Sequence, residues 1–457
     1  MILTQYYLDC LSQASYLIGD ETTGKAVVVD PRIDVDEYLD DARDQGLDVV
    51  GVINTHLHAD FISGHFEIAE RTGAWIGYGE TAEAEFAFRG LAEGERITLG
   101  EVEVEVLHTP GHTPESISLV VYERGGDTVP YGVLTGDALF IGDVGRPDLA
   151  ASFGHSPEKL APMLYDSVHN KLMALPDATR LFPGHGAGSA CGKNISTERQ
   201  STIGDQRRTN YAVQPMSEAD FVELVREGQE AIPAYFSYDA ARNRQDRDPV
   251  DVEALARPLD AEAFLRLRAA GAVVVDARDH QSFSAGHLRG ALNVGTDGRF
   301  AETSGMMVEP GSEILVVAAA GQEQEAVTRL ARVGLDTIAG YLERPEAAMA
   351  SVPGEVERAP RVEAAELARM LEAEDAPVVV DVRGSAEREG GFIEGAVHIP
   401  LAHLPERGGE LPADRPIVVH CAGGYRSSVA ASHLRAQGHA QVADLVGGYH
   451  AYRMLAA

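Results

Sequence analysis

Short apolar runs separated by turns fill the first 120 residues and predict a β-rich domain. Val, Ile and Leu alternate with turn residues in segments such as ASYLIGDETTGKAVVVDP, VVGVINTH and ERITLGEVEVEVLHTPGH. A helix-like segment, FEIAERTG, interrupts these runs, and strand-like runs continue in SISLVVYE and YGVLTGDALF. This mixture predicts packed layers of sheet and helix, with histidines at the ends of strands.

An internal repeat follows a polar, helix-rich region at 195–255. The segment VVVDARDHQSFSAGHLRGALNVG (273–295) aligns without gaps on VVVDVRGSAEREGGFIEGAVHIP (378–400), an offset of 105 residues. Each copy begins with a continuous Val run that suits a buried parallel strand. We therefore predict two tandem α/β domains of about 100 residues each, joined by the linker SVPGEVERAP (351–360).

Composition and charge narrow the class of protein. The chain has 457 residues, of which 44% are hydrophobic and 24% charged, and this predicts about three globular domains. The net charge of −33 argues against a nucleic-acid or anionic-membrane partner. No basic-then-apolar leader opens the sequence, and no apolar run approaches the roughly 18 residues of a membrane span. We therefore expect a cytoplasmic protein with neither a nucleic-acid nor a membrane partner.

Histidines and acids follow several strand-like segments of the first domain. They lie in THLHADF, TPGHTPES, LTGDALF and FPGHG. Two neutral imidazoles and one carboxylate suffice to bind a divalent transition metal. Four such pieces in this order predict a metal site rather than scattered structural histidines.

These motifs resemble those of the metallo-β-lactamase superfold over about residues 1–245. The resemblance implies an αββα sandwich, although this superfold hosts hydrolases, nucleases and oxidases. In the family's binuclear zinc hydrolases, a histidine directly after the motif aspartate, here Asp60, binds a second metal. Phe61 occupies that position, and His65, expected at a helix start, is a poor substitute. The change argues against the two-metal clamp of a hydrolase.

The same motifs resemble more closely those of the persulfide dioxygenases, which bind one ferrous iron per chain. Carried over position by position, the resemblance makes His56, His112 and Asp137 the iron ligands. This set is a facial triad with open positions for substrate sulfur and dioxygen. The groups that the resemblance assigns to orienting ligands and water are His58, Asp60 and His185.

Two further residues near these motifs each have two interpretations. Arg146, in DVGRPD, matches a family arginine near the substrate channel, where it would hold a substrate carboxylate or phosphate. The alternative is a structural loop arginine. Cys191 follows FPGHG and either takes part in persulfide handling or is a buried free cysteine. Cys10 lies in an early strand and is interpreted as a core residue.

The most specific motif is PIVVHCAGGYRSSVAASHLRAQG, near the end of the sequence. It predicts a buried strand ending at His420, a six-residue loop from Cys421 to Arg426, and a helix starting near Ser427. Loop N–H groups, the helix N-terminus and Arg426 all favour a thiolate and would stabilise a persulfide anion. Between the cysteine and the arginine, the loop contains Ala422, Gly423, Gly424 and Tyr425.

This loop resembles the active loop of the rhodanese sulfurtransferases, whose six-residue length suits sulfur. Phosphatases of the related fold use a longer loop. The middle copy reads VVAAAGQEQEAV, with Ala318 or Ala319 at the cysteine position and no arginine. We expect the middle copy to be catalytically inactive and to serve as a spacer, a docking surface or a remnant.

The whole chain resembles bacterial fusions of a persulfide dioxygenase with rhodanese domains. We predict an α/β fold with a metallo-β-lactamase αββα sandwich at 1–250, an inactive rhodanese-like domain at 258–350 and an active rhodanese domain at 360–457. The implied function uses dioxygen to oxidise low-molecular-weight persulfides to sulfite. It is coupled to sulfur transfer through Cys421, which forms or uses thiosulfate in sulfide detoxification. The implied partners are a thiol persulfide, sulfite and thiosulfate, and we expect a homo-oligomer, either a dimer or a tetramer.

Two alternatives remain. One is a binuclear zinc thioester hydrolase similar to glyoxalase II, fused to a sulfurtransferase. Phe61 and the rhodanese partner argue against it. The other is a non-enzymatic sulfur carrier or redox sensor that uses Cys421 alone, and the intact set of three metal ligands argues against that.

Overall fold

The computed structural model describes residues 1–149, 151, 154–229 and 231–455. The chain divides into two compact units, Met1–Val250 and Asp251–Ala457. The last two residues of the predicted third domain, 456–457, lie outside the described residues. Within the described part of the chain, no helix has the length and apolar character needed to cross a membrane.

Two six-stranded sheets form the centre of the first unit. The first sheet contains, in spatial order, β1 (Ile2–Leu8), β2 (Gln13–Asp20), β3 (Lys25–Val29), β4 (Asp48–Ile53), β5 (Trp75–Gly79) and β6 (Arg89–Leu91). The strands that follow along the chain are β7 (Arg96–Thr98), β8 (Glu103–His108), β9 (Ile117–Tyr122), β10 (Gly132–Gly136), β11 (Leu139–Phe140), β12 (Asp143–Val144), β13 (Arg180–Pro183) and β14 (Ser201–Thr202). The second sheet has the order β14-β13-β10-β9-β8-β7, and β11 and β12 form a separate ribbon.

Helices cover the outer faces of both sheets. They are α1 (Asp36–Asp44), α2 (His65–Thr72), α3 (Pro157–Tyr165), α4 (Ile203–Thr209) and α5 (Glu218–Arg226). A further helix, α6 (Tyr235–Arg242), is followed by Asn243, whose side chain donates to the carbonyls of His58 and Phe61. Successive strand residues point to opposite faces. Val27 and Val29 of β3 therefore meet Val104 of β8 between the sheets, while Val28 packs with Tyr38 of α1. Helices α3 and α5 pack on the second sheet, and this αββα sandwich confirms the predicted fold.

Strand order brings the chemical motifs to one edge of the sandwich. Strands β10 and β13 are parallel neighbours, so Asp137 and His185, which follow them, lie at the same edge. A β-bridge between Gln13 and His185 links this edge to the first sheet. The loop after β4, which carries His56, belongs to that first sheet.

The second unit contains two successive five-stranded sheets. The elements of its first half are α7 (Val252–Leu255), β15 (Pro258–Leu259), α8 (Ala261–Ala269), β16 (Val273–Asp276), α9 (His280–Ala285), β17 (His287–Leu288), β18 (Leu292–Asn293), α10 (Phe300–Met307), β19 (Ile314–Val317), α11 (Glu323–Ala331), β20 (Ile338–Leu342), α12 (Pro345–Ser351) and β21 (Val356–Glu357). The elements of its second half are β22 (Arg361–Val362), α13 (Ala364–Met370), β23 (Val378–Asp381), α14 (Ser385–Glu389), β24 (Val397–His398), α15 (Leu404–Arg407), β25 (Ile417–His420), α16 (Tyr425–Ala436), β26 (Val442–Leu445) and α17 (Gly448–Arg453). The sheet orders, β15-β20-β19-β16-β18 and β22-β26-β25-β23-β24, have the same topology and confirm the predicted tandem repeat.

A buried aspartate–arginine pair occurs at the same place in both copies. Arg278 Nε donates to Asp276 at 2.9 Å, and Arg383 Nε donates to Asp381 at 2.9 Å. In each copy the guanidinium also donates to a glycine carbonyl, at 3.0 Å in the first and 2.8 Å in the second. Because a buried charge is tolerated only when it is paired and hydrogen-bonded, both copies keep the whole arrangement.

The register of the central strands identifies the residue that replaces the cysteine in the middle copy. Asp276 pairs with Val317, and Asp381 pairs with His420. Ala318, the next residue after Val317, therefore stands where Cys421 stands in the last copy. This register selects Ala318 from the two alanines that the sequence left open.

Candidate functional site

Three of the predicted metal ligands converge in the first unit. Donor atoms of His56, His112 and Asp137 all lie within 4.8 Å of one another, and all three residues are buried. The preceding residue Gly136 adopts φ +48°, and a Cβ there would lie 2.6 Å from the Thr55 hydroxyl. Only glycine therefore allows the end of β10 to approach the histidine loop this closely.

Hydrogen bonds determine which ring nitrogen of each histidine faces the cluster. His112 Nδ1 lies 2.9 Å from the carbonyl of Arg146. Because a carbonyl only accepts, Nδ1 donates to it, and Nε2 is left as the potential ligand atom that faces the cluster. His56 Nδ1 lies 3.0 Å from the Thr55 hydroxyl, which itself donates to Asp30. His56 Nε2 is therefore an acceptor as well, and it has no hydrogen-bond partner among the described residues.

Asp30 supports two of the motif histidines, and the sequence analysis missed it. It follows β3 with φ +50°, and its carboxylate accepts from the Thr55 backbone N–H at 2.7 Å and hydroxyl at 2.9 Å. His58 Nε2 lies 2.9 Å from the same carboxylate. The only indication in the sequence is the aspartate that ends a buried valine run. A second unpredicted acid, Glu115, accepts from the Leu57 backbone N–H at 2.9 Å.

His185 lies between two carboxylates. Its Nδ1 is 2.8 Å from Asp137, and its Nε2 is 2.7 Å from Asp60. Burial alone would lower the pKa of His185, but the two carboxylates raise it well above its usual value. Burial would likewise raise the pKa of Asp137, but His185 and then His112 hold it well below its usual range. Asp137 is therefore an ionised carboxylate held in place by His185.

The second oxygen of Asp137 faces the metal cluster. Asp137 Oδ2 accepts no hydrogen bond among the described residues and lies 3.5 Å from His112 Nε2. A buried carboxylate oxygen with no hydrogen-bond partner is unfavourable, and a cation bound beside it would compensate its charge. The donor set of two imidazoles and one carboxylate therefore fits a divalent transition metal.

A second group of potential donors adjoins the first. Donor atoms of Asp60, His185 and Cys191 lie within 4.8 Å of one another, an arrangement that the sequence analysis did not predict. Burial and the nearby carboxylates, first Asp60, raise the pKa of the Cys191 thiol well above its usual value. Phe61 contributes no donor because its side chain is a hydrocarbon, and its fully buried ring packs 4.3 Å from the ring of His58.

Arg146 is buried beside this region with its charge already paired. Its Nε and one terminal nitrogen donate to both carboxylate oxygens of Asp148, at 2.6 and 2.7 Å. Another terminal nitrogen reaches the carbonyl of Ala190 at 3.3 Å. Of its two interpretations, this geometry favours the structural loop arginine.

A small cleft opens beside the metal cluster. It is lined by Leu57, Ala59, His112, Thr113, Leu149, Ala240 and Arg244. Arg244 contributes the one permanently charged side chain among these lining residues. No sequence motif indicates Arg244, because it follows α6 and lies far along the chain from every histidine motif.

The cysteine loop of the second unit is shorter than predicted. Strand β25 ends at His420 as expected, but α16 begins at Tyr425 rather than near Ser427. Gly424, with φ +121°, turns the chain into the helix, and its N–H donates to Cys421 Sγ at 3.1 Å. The buried thiol also lies 3.7 Å from the hydroxyl of Ser427.

Arg426 is held by an acid that the sequence analysis missed. Its two terminal nitrogens donate to the two carboxylate oxygens of Glu387, each at 2.7 Å. These hydrogen bonds hold the pKa of Glu387 below its usual value. Glu387 lies in α14, and strands β24 and β25 separate it from the loop along the chain. The spacing of residues in the sequence therefore gave no indication of the Glu387–Arg426 pair.

The start of α17 supports the opposite side of the loop. The backbone N–H groups of Tyr449 and His450 donate to the carbonyls of Cys421 and Ala422, at 2.7 and 3.1 Å. Gly448 adopts φ +58°, and a Cβ there would lie 2.5 Å from the Cys421 carbonyl oxygen. The backbone of the loop is therefore held from both α16 and α17.

Three stretches of the chain match models of known protein families. Residues 8–185 match the family model of the metallo-β-lactamase superfamily, and residues 260–344 and 363–455 match that of the rhodanese-like domain. A solved metallo-β-lactamase from Staphylococcus aureus subsp. aureus COL is 32% identical, with a TM-score of 0.67, over 75% of this chain and 98% of that chain.

Two curated relatives each match about two fifths of the chain. The mitochondrial persulfide dioxygenase ETHE1 of Mus musculus is 29% identical over 188 residues, which are 40% of this chain and 68% of that protein. The cytoplasmic hydroxyacylglutathione hydrolase of Arabidopsis thaliana is 32% identical over 183 residues, which are 39% of this chain and 66% of that protein. The chain spans about half the length, 54%, of the β-lactamase hydrolase-like proteins that it also matches.

Fold and site together define a metal-binding αββα domain followed by two rhodanese-like domains. The chain belongs to the metallo-β-lactamase superfamily. Its combination of persulfide dioxygenase relatives with tandem rhodanese-like domains is that of the persulfide dioxygenase–rhodanese fusion proteins, and it confirms the predicted resemblance.

Proposed function

We propose that the first unit is a non-haem iron persulfide dioxygenase and that the Cys421 loop is a thiosulfate sulfurtransferase. The observation that carries the proposal is the set His56, His112 and Asp137 around unpartnered acceptor atoms, with Phe61 where a second metal's histidine would stand. The persulfide dioxygenase relative supports the same assignment.

The three donors would hold one Fe(II), which when bound supplies the activation of dioxygen as co-substrate. The remaining residues hold these donors. Asp30 acts through Thr55 on His56, and His185 orients the carboxylate of Asp137. We expect the persulfide end of a small thiol carrier to reach the cluster through the cleft beside it, whose lining is mostly apolar.

Sulfur transfer at Cys421 needs no metal. The thiolate attacks the outer sulfur of thiosulfate, the sulfur–sulfur bond breaks, sulfite leaves, and the cysteine persulfide forms. In the opposite direction, sulfite attacks the terminal sulfur and regenerates the thiolate and thiosulfate. The Gly424 N–H, 3.1 Å from Sγ, stabilises negative charge on sulfur. Sulfite produced in the first unit would thus be a substrate of this loop during sulfide detoxification.

The test is metal analysis of anaerobically purified protein, combined with oxygen uptake on glutathione, coenzyme A and cysteine persulfides. We expect one iron per chain and persulfide-dependent oxygen consumption that produces sulfite. Two zinc ions per chain with no oxygen consumption would overturn the proposal.

A zinc thioester hydrolase is the second candidate function. Two observations favour it: the hydroxyacylglutathione hydrolase relative, and the second donor group of Asp60, His185 and Cys191. The same metal preparation, assayed with a glutathione thioester, separates the two candidates, because hydrolysis that depends on zinc and not on oxygen would select the hydrolase.

A further inference from the structure

One face of α16, the helix that begins at the cysteine loop, contacts the middle, cysteine-less copy. Tyr425, Ser428 and Ser432 lie on this face at helical spacing. The Tyr425 hydroxyl donates to the carbonyl of Gly295 at 3.0 Å, and the Ser428 hydroxyl donates to Asn293 Oδ1 at 2.7 Å. The Asn293 backbone N–H donates to the Ser432 hydroxyl at 2.9 Å.

Asn293 is fixed in the orientation that these contacts need. Its side-chain nitrogen donates to the carbonyls of Asp276 and Arg278, at 3.1 and 2.9 Å. Because carbonyls only accept, the amide oxygen must point the other way, towards Ser428. The corresponding residue of the last copy is His398, whose ring nitrogen lies 2.8 Å from the Arg383 carbonyl.

The ring of Tyr425 packs against the backbone of Gly298. A Cβ at Gly298 would lie 2.5 Å from the ring carbons of Tyr425. The segment from Gly295 to Gly298 therefore accepts the tyrosine only because its last residue is glycine.

The buried middle of α16 consists largely of small residues. Ala430, Ala431 and Ser432 are almost completely buried, as are Ser427 and Ser428. A helix buried all round is packed between two partners, here its own sheet and strand β18 of the middle copy. Small side chains allow both approaches to be close.

We infer that the cysteine-less copy is a positioning element for the Cys421 loop, acting through Tyr425. Tyr425 directly follows Gly424, the residue whose N–H holds Cys421 Sγ. Anchoring Tyr425 on Gly295 fixes the first turn of α16 and with it the direction of that N–H. The inference rests on the proposed role of Cys421 and gives the middle copy a function despite Ala318.

The test is Tyr425→Phe in the full-length protein, which removes the hydroxyl and keeps the ring. We expect Cys421 alkylation by iodoacetamide, followed site by site by mass spectrometry, to shift its pH profile upwards. The turnover number for sulfur transfer from thiosulfate to cyanide should fall about fivefold, the effect of about 1 kcal/mol for one hydrogen bond. Persulfide-dependent oxygen uptake should not change.

The matched control is Tyr165→Phe. Like the Tyr425 hydroxyl, the Tyr165 hydroxyl donates to a backbone carbonyl, that of Met216 at 3.1 Å, but it lies in the first unit. The control should leave the alkylation profile and the transfer rate unchanged. A second variant, Ser428→Ala, should reproduce the direction of the Tyr425→Phe effect.

Two outcomes would overturn the inference. One is a folded Tyr425→Phe protein with the wild-type pH profile and turnover number. The other is a variant that loses thermal stability alone, which would mean a purely structural contact. Sulfur transfer that persists in Cys421→Ser would instead contradict the proposed function, so the two failures are distinguishable.

Discussion

At the scale of single residues, the charge of Arg426 is partly cancelled before any substrate arrives. Its bidentate partner Glu387 occupies the guanidinium face that a sulfur oxyanion would use. Glu387→Gln keeps the shape and removes the negative charge. For a partly exposed pair worth about 1 kcal/mol, we expect the KM for thiosulfate to fall about fivefold, measured in steady-state cyanide assays.

Glu410→Gln is the control for this change. Glu410 forms a bidentate pair with Arg407, at 2.9 Å for both contacts, on an exposed surface of the same copy. Its substitution should leave the KM for thiosulfate unchanged. An equal fall in both variants would mean that general surface charge, and not Arg426, sets the affinity.

Arg244 is the second residue whose charge is expected to select substrates. It lines the cleft beside His112 among mostly apolar neighbours. Carriers such as glutathione persulfide bear carboxylates, so Arg244→Gln should raise their KM about tenfold to a hundredfold, the effect of losing a charge-assisted hydrogen bond. Oxygen uptake with cysteamine persulfide, which lacks a carboxylate, should keep its KM. A rise for both substrates would contradict charge recognition.

The sequence motifs predicted the candidate metal ligands and the loop cysteine, but not the residues that hold these side chains in place through hydrogen bonds. His56, His112 and Asp137 stand in recognisable motifs at strand ends, and the fold brings their donor atoms together. Asp30 and Glu387 reach their partners only through tertiary contacts, from loops or helices distant in sequence. One sequence contains no pattern that couples such distant positions.

At the scale of elements, the turn into α17 is restricted by the loop beside it. Gly448→Ala would place a Cβ 2.5 Å from the Cys421 carbonyl oxygen in addition to the strain of φ +58°. We expect a loss of about 3 kcal/mol in unfolding free energy and a lower rate of sulfur transfer. Urea denaturation and the cyanide assay measure the two effects.

Gly395→Ala is the control that separates the cost of a positive φ from the cost of the steric contact expected in Gly448→Ala. Gly395 adopts φ +77°, but a Cβ there meets nothing within 4 Å. We expect a loss of about 1 kcal/mol with sulfur transfer unchanged. Equal losses in the two variants would refute the role of the contact with Cys421.

Helix α16 also makes the second unit sensitive to acid. Burial lowers the pKa of His433 from 6.5 to about 4, and its Nε2 has no hydrogen-bond partner among the described residues. The unfolded chain therefore binds a proton more readily than the native one between these values. Stability is complete above pH 6.5 and is lost as the pH falls towards 4.

His433→Gln should remove this part of the acid sensitivity. For the wild-type protein, the His433 contribution makes the unfolding free energy about 2 kcal/mol smaller at pH 5 than at pH 7. Urea denaturation at the two pH values should show a smaller difference in the variant. An unchanged difference would mean that other groups set the acid response.

At the scale of the whole molecule, hydrophobic pattern and repetition predicted the two tandem α/β domains, whereas the αββα sandwich was predicted from the motif resemblance. The valine runs at 273–276 and 378–381 became central parallel strands of two sheets with one topology. The contact between the copies was not predictable, because the residues that make it, Asn293 and Ser428 among them, look like ordinary polar loop or helix residues.

The division of chemistry between the two units gives a prediction for the complete chain. Cys421→Ser removes the sulfur acceptor and leaves the metal ligands intact. We expect transfer from thiosulfate to disappear, while sulfite production from persulfide persists at the wild-type rate. Ion chromatography of both products in one preparation checks this, and a parallel loss of both activities would contradict the two-stage division.

Phe61 also changes the balance between water and small apolar molecules beside the metal site. Its buried ring lies against His58, where a polar ligand would otherwise bind a cation or water. Apolar walls bind small apolar molecules and gases better than water. For the proposed dioxygenase, whose co-substrate would be the apolar gas dioxygen, the ring of Phe61 would favour the oxidant over competing water beside the metal ligands.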